Sequence, residues 1–395
     1  MATTTAKFYE SPSDKSKVKT LIVTEFLKAY FQIINRSVAK GKKEIIYIDL
    51  FCGPGKFEDG QPSTPLALLD TVNSFEDELR RKIRIVFNDE NRNYINKLKK
   101  IVDNHEVVQK LNYDIEVTNH CAGDVNIKAY TSKKCPIFSF IDPWGYKGVS
   151  VTQTWELVRN IGSDCVLFFN SNRFIMDINK ESQLCHLESI FGNQLSEVKK
   201  LVNNNSVDQK NKAQRVVEFF SKNLLNKVAN LGYPGYQLYV LPFGFEADDK
   251  DKISHHILFI TKNHKAIVEM KKVMVKHSNT NHTSLSYDSK NQLQISLFHR
   301  GCFVDDEIIK AIHNCMRQDS SFLKKTWKID SLLEALDKNN MVLNYQATPY
   351  LRNELKNVIE QLDKDDLIDV VIPSISYKKR ITYDREFKFK KELLV

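Results

Sequence analysis

The 395-residue chain has little cysteine, and none of it is paired in sequence. Its seven cysteines, Cys52, Cys121, Cys135, Cys165, Cys185, Cys302 and Cys315, are odd in number, scattered and without a C-x-x-C spacing. That excludes a disulfide framework and a cysteine zinc cluster as organising features. No apolar run approaches the length of a membrane-spanning helix. The first residues, MATTTAKFYESPSDKSK, lack the apolar core and cleavage site of a secretory signal, so a reducing cytoplasm is the expected location. Internal repeats, low-complexity tracts and an obvious Ser/His/Asp order are missing too. What is present is an ordinary globular composition, 42% hydrophobic and 27% charged, which excludes a disordered or collagen-like chain. The length suits two domains. Lys+Arg 58 against Asp+Glu 49 leaves a net charge of +9, which permits a polyanionic partner without requiring one.

Hydrophobic spacing predicts a helix over about 15–40, with Leu21, Ile22, Phe26, Ala29, Tyr30, Ile33, Ile34 and Val38 in phase and Gly41 as its stop. The short β-branched run EIIYIDLF reads as a buried strand. Strand-like and helix-like segments then alternate through CVLFFN, the pattern of a parallel sheet with crossover helices. Residues 172–232 are polar and helical and read as an insertion or lid. YQLYVLPFGFE and ISHHILFITKN, separated by ADDKDK, read as an antiparallel hairpin. Five parallel strands closed by such a hairpin match the order of class I methyltransferases. From 303, helices followed by a basic hairpin suggest a winged-helix-like module, or else a helical cap. The expected domains are therefore 1–302, a Rossmann-like α/β domain, and 303–395.

Four motifs carry candidate chemistry. Asp49-Leu50-Phe51-Cys52-Gly53-Pro54-Gly55 follows the first strand, where two glycines allow a tight turn and close approach of a ligand. It lacks the third glycine of a dinucleotide fingerprint and the lysine of a P-loop. Asp89 ends the second strand, about 35 residues later, and can accept from a ribose diol, with Glu90 competing and Asn91 a helix cap. The spacing requires extra residues in the glycine loop, some of them from 56–61. Ala122-Gly123-Asp124 follows the third strand; Asp124 is either an adenine acceptor or a helix cap. Asp142-Pro143-Trp144-Gly145-Tyr146 follows the fourth. A carboxylate and a proline carbonyl can hold the hydrogens of a delocalised amine and orient its lone pair, and an aromatic can stack on a flat substrate. His255 and His256, in an apolar strand, read as core or hairpin residues rather than ligands.

DLFCGPGKF, STPLALL, FIDPWG and SHHILFITKN…MKKVM together resemble the three-Cys-motif partner proteins, over about 15–300 and less closely over 303–395. These are bacterial proteins similar to class I S-adenosylmethionine-dependent methyltransferases, encoded beside a three-cysteine protein of radical-S-adenosylmethionine type. NDENRNYINKL and Asp142-Pro143-Trp144-Gly145 are further similar to motifs of adenine-specific DNA methyltransferases. The resemblance implies S-adenosylmethionine as cofactor, with Asp49, Phe51, Gly53 and Gly55 at its binding turn, Asp89 on its ribose and Asp124 on its adenine. It implies that Asp142 and Pro143 hold a target amine in DNA or RNA, with Trp144 or Tyr146 stacking, and that a three-cysteine-motif protein is the partner. Trp144 stands where that motif has a second proline, and Gly145 where it has its aromatic. Lys378, Lys379 and Arg380, with Lys388, Lys390 and Lys391, are the expected phosphate contacts. The competing reading is a non-catalytic nucleic-acid- or partner-binding chain, as in phage defence; methylation of a protein or small molecule is a third.

Overall fold

The computed structural model describes residues 11–39, 44–143, 145, 146, 148–231, 237–247, 252–280, 285–290, 297–339, 346–371 and 381–394. Helix α1, Asp14–Arg36, starts where the Ser13 side chain accepts from Ser16 N–H at 3.2 Å. It stops before Gly41. Ser37 ends it by donating Oγ–H to the Ile33 carbonyl at 2.7 Å, and Ala39 N–H takes the Ile34 carbonyl at 2.8 Å. The Ile33 and Ile34 carbonyls are thus satisfied without a glycine. Ile22, Phe26 and Tyr30 are buried as the spacing predicts, whereas Leu21 and Ile33 face out.

The strands β1 (Ile45–Asp49), β2 (Ile83–Asn88), β3 (Glu116–Thr118), β4 (Ile137–Ile141), β5 (Asp164–Phe169), β6 (Tyr239–Glu246), β7 (Ile253–Thr261) and β8 (Ser286–Tyr287) form one sheet in the order β3-β2-β1-β4-β5-β7-β6-β8. β1 to β5 run parallel, and β7 inserts antiparallel between β5 and β6. This is the Rossmann-like arrangement of class I methyltransferases, with β8 added at the edge. The central strand is buried along its whole length, as a parallel strand covered on both faces must be.

Alternation along β1 divides the core in two. Ile45 and Tyr47 point to one face, packed under α1, α2 (Thr64–Asn73), α3 (Arg92–Asp103) and α9 (His264–His277). Ile46 and Ile48 point to the other. That face is covered by α4 (Val151–Val158), α5 (Ser171–Asp177), α6 (Leu184–Phe191), α7 (Leu195–Asn203) and α8 (Gln209–Asn230). The helices after β5 are therefore an integral layer rather than a loose lid. Leu187, Ile190, Phe191, Phe220 and Leu224 are fully buried among them.

Beyond the sheet, α10 (Leu297–Gln318), α11 (Ile329–Lys338) and α12 (Arg352–Lys364) share a third apolar cluster with the antiparallel pair β9 (Ile368–Val371) and β10 (Glu386–Phe389). Trp327 adds a bridge to Phe387. A buried ionic knot joins this module to α9. Asp337 accepts from Lys271 Nζ at 2.8 Å on each oxygen, from His264 Nε2 at 2.7 Å and from Thr348 N–H at 2.8 Å. Burial alone would raise the Asp337 pKa, but Lys271 and His264 outweigh it and hold the carboxyl below its ordinary range.

Candidate active site

The carboxyl ends of β1, β2 and β4 converge, as open α/β sheets direct their ligand sites. After β1, Gly53 and Gly55 adopt φ of +66° and +85°. A Cβ on Gly55 would lie 2.8 Å from Leu98 Cδ1, so a side chain there would have to displace that methyl as well as adopt the left-handed backbone. The additional loop residues fold back on themselves: Lys56 bridges Pro62, and Phe57 N–H donates to the Gln61 carbonyl at 2.9 Å.

Asp89 holds this turn directly. Its Oδ2 accepts Gly53 N–H at 2.9 Å and its Oδ1 accepts Asn91 N–H at 2.8 Å. Burial raises its pKa, and those two N–H groups oppose the rise. Each oxygen keeps a second lone pair for a hydroxyl. Asn91 caps α3 through its side chain. Asn88, which opens the NDENRNYINKL segment, ties the ends of three strands. Its Nδ2 donates to the Leu50 and His120 carbonyls at 3.1 and 2.9 Å, and its Oδ1 accepts His120 N–H at 3.0 Å.

Asp49 is buried, with Oδ1 accepting Phe51 N–H at 3.0 Å and Oδ2 without a hydrogen-bond partner. Burial pushes its carboxyl well above the ordinary range, and Asp142 and Asp89 add to the rise. Asp124 lies in the turn Ala122–Asp124, exposed, and caps no helix. That turn is fixed by Gln153 of α4, which donates to the Ala122 carbonyl at 2.8 Å. Gly148, at φ +81°, closes the same region, since a Cβ there would meet Ala122 Cβ at 3.1 Å and Phe51 Cζ at 3.5 Å.

Asp142 and Pro143 line a cleft with Phe51, Phe168, Asn170 and His255. The side chain facing them that sequence reasoning missed is Lys19 of α1. Its ammonium pairs with Asp142 Oδ2 and sits 4.8 Å from the centre of the Phe168 ring. Lys19 is 8% exposed. It falls on the same helical stripe as Ile22 and Phe26, and a lysine inside an apolar stripe was the available signal. His255, which the sequence suggested as a core or hairpin residue, also lines the cleft. Its neighbour His256 faces the opposite side, 3.1 Å from Ser171 Oγ, with burial pushing its pKa down to about 3.

Not every expected residue joins the site. Tyr146 is buried, its ring stacked on Phe174 at 4.6 Å and its hydroxyl donated to Asp177 at 3.1 Å. It therefore packs the α5 layer and presents no free ring to a substrate. Trp144 lies outside the described residues, as do Lys378, Lys379 and Arg380. Lys390 is paired with Asp366 at 2.6 Å and Asp369 at 3.5 Å, which compensates its charge locally.

No protein-family model and no curated protein matches the chain. Solved structures similar to it include a Legionella pneumophila protein of the DUF519 family model, at 10% identity and TM-score 0.33, covering 65% of this chain and 91% of that one. The methyltransferase domain of bacterial CtHen1-CN is similar at 13% identity and TM-score 0.30, covering 60% of this chain and 98% of that one. The plantazolicin methyltransferase BpumL, solved with a triazolic desmethylPZN analog and SAH, is similar at 13% identity and TM-score 0.29, covering 65% and 95%.

Proposed function

We propose that the chain is an S-adenosylmethionine-dependent methyltransferase acting on an exocyclic amino group of a nucleobase, adenine favoured, in DNA or RNA. The observation that carries this reading is the cleft itself. Asp142 and Pro143 stand at the end of β4 among Phe51, Phe168 and His255, beside a glycine turn braced by Asp89. The turn fits the cofactor on two counts. A Cβ at Gly148 would crowd the space between Phe51 and Gly123, and the buried Asp49 Oδ2 has no hydrogen-bond partner among the described residues. Phe51, Gly53 and Gly55 would line the cofactor, Asp89 would meet its ribose and Asp124 its adenine. When bound it supplies a methyl group on a sulfonium, an electrophile whose leaving group needs no proton donor.

The chain's own residues then position the acceptor. Asp142 Oδ1 and the Pro143 carbonyl take hydrogens of the amine. Lys19 holds Asp142 in place through Oδ2 and is a positioning residue. Phe51 and Phe168 offer apolar walls to a planar base lifted from its stack. Helices α10–α12 followed by the β9/β10 hairpin and the Trp327 bridge support a winged-helix reading of the C-terminal module, which would hold phosphates. A three-cysteine-motif protein is the proposed partner, on the resemblance of the sequence.

One observation favours a second reading, a non-catalytic nucleic-acid- or partner-binding chain: Lys19 already compensates the Asp142 carboxylate. Calorimetric titration with S-adenosylmethionine separates the two. The enzyme reading expects binding that Asp89→Ala weakens and Asp142→Ala spares, together with labelled-methyl transfer that Asp142→Ala abolishes. No binding by the wild type, or transfer indifferent to Asp142, defeats it.

A further inference from the structure

We propose that His255 is a catalytic residue of this cleft, its Nε2 taking the proton that the target nitrogen sheds as it is methylated. The inference rests on the methyltransferase reading above and adds to it a group that the motifs did not contain.

The hydrogen-bond chain behind the ring assigns the tautomer. Ser254 Oγ donates to the Phe245 carbonyl at 3.0 Å. A hydroxyl has one hydrogen, so it cannot also donate to His255 Nδ1, 2.8 Å away. Nδ1 must therefore carry the proton and donate it to Ser254. In a neutral ring this leaves Nε2 with a bare lone pair. The ring is neutral at pH 7. Burial pushes its pKa well below the ordinary histidine value, and Lys19, His256 and Lys15 add to the fall.

The ring is also fixed in direction. Phe245 stacks on it at 4.6 Å and 22°, and Phe168 lies against it at 4.4 Å. Its only hydrogen-bond partner among the described residues is Ser254. The titratable groups near it are Lys15 and Lys19 of α1, Asp142 after β4 and His256 of β7. Lys19, itself a cation, can take no proton, and it occupies one oxygen of Asp142. Nε2 is then a neutral base in the cleft wall.

Methylation of an amino nitrogen forms a C–N bond and breaks the donor's C–S bond, whose electron pair stays on sulfur. The nitrogen then carries one proton too many. Its N–H bond breaks, the electron pair returning to nitrogen and the proton passing to Nε2, and from there to water. A neutral imidazole is basic enough for so acidic a nitrogen, and proton transfer by a positioned side chain contributes typically about 10²–10⁴-fold.

Two measurements test this. In the full chain with ¹⁵N-labelled histidine, long-range N–H correlation at pH 7 should show His255 protonated at Nδ1 and bare at Nε2. Ser254→Ala should erase that preference. A protonated Nε2 or a cationic ring overturns the assignment. Second, labelled methyl transfer to bulk single-stranded DNA and bulk RNA should fall about 10²-fold or more in His255→Phe, and also in the more conservative His255→Gln. Calorimetric affinity for S-adenosylhomocysteine should meanwhile stay within about twofold of wild type, because only the transition state loses a contact. Transfer by His255→Phe or His255→Gln at the wild-type rate sinks this step alone. A wild type that neither binds S-adenosylhomocysteine nor transfers methyl sinks the methyltransferase reading with it.

Discussion

Replacing Gly55 by alanine probes the glycine turn, with Gly60 as an internal control. Both residues have φ of +85°, so each alanine meets the same backbone cost, about 1–2 kcal/mol for a left-handed conformation. They differ in surroundings. A Cβ at Gly60 has nothing within 4 Å, whereas one at Gly55 meets Leu98 Cδ1 at 2.8 Å and Ile101 Cδ1 at 3.0 Å. Overpacking costs about 1–3 kcal/mol, and here the atoms in the way are methyl ends, which rotate aside more cheaply than backbone. Gly55→Ala should therefore cost about 2–4 kcal/mol and Gly60→Ala about 1–2, a difference of at least ~1 kcal/mol. Urea unfolding of the two variants reads it as a lower midpoint at unchanged slope for Gly55→Ala. Equal midpoints would refute the packing argument. The same substitution should weaken S-adenosylmethionine binding, since the turn must shift to admit the methyl group.

Asp337→Ala removes the carboxylate that offsets the buried Lys271 charge and should destabilise the chain by about 3–5 kcal/mol; Asp337→Ala with Lys271→Met should recover much of that in the same unfolding assay. Lys19→Met should cost only about 1 kcal/mol of stability, because the Asp142 side chain is 21% exposed, yet reduce methyl transfer at least roughly tenfold. Lys19→Arg, which retains the cation, should restore most of that loss, and equal transfer by all three proteins would remove Lys19 from the site. Asp164, buried at the start of β5, has its pKa pushed up to about 7 by burial, against the opposing Thr261 hydrogen bond and Lys262 charge. A carboxyl with a raised folded pKa stabilises below its unfolded value near 4 and loses that contribution as pH rises through the folded value. Wild-type stability should thus fall between about pH 4 and 7 by up to ~4 kcal/mol relative to Asp164→Asn, measured by unfolding at each pH.

The parallel sheet and the glycine turn were legible because they depend on local patterns. Five apolar runs separated by helical spacing allow few arrangements, and Gly53 and Gly55 immediately follow the first run. The contributions that depend on distant partners were not. Tyr146 adjoins the Asp142 motif in sequence, but Asp177 and Phe174, about thirty residues on, draw it into another layer. Lys19 meets Asp142 across 123 positions, and no neighbouring residue announces that contact. Alternation along β7 puts His255 and His256 on opposite faces without saying which face holds the cleft. The stop of α1 at Ser37 instead of Gly41 shows a side chain supplying the donor that a glycine turn would otherwise supply from its backbone.

The most direct test of the central claim is transfer of labelled methyl from S-adenosylmethionine to nucleic acid by the wild type and by Asp142→Ala, with protein and nucleic-acid fractions counted separately. The account predicts label in the nucleic-acid fraction with wild type and none above background with Asp142→Ala, at unchanged cofactor affinity. Label confined to protein, or equal label with both proteins, contradicts it.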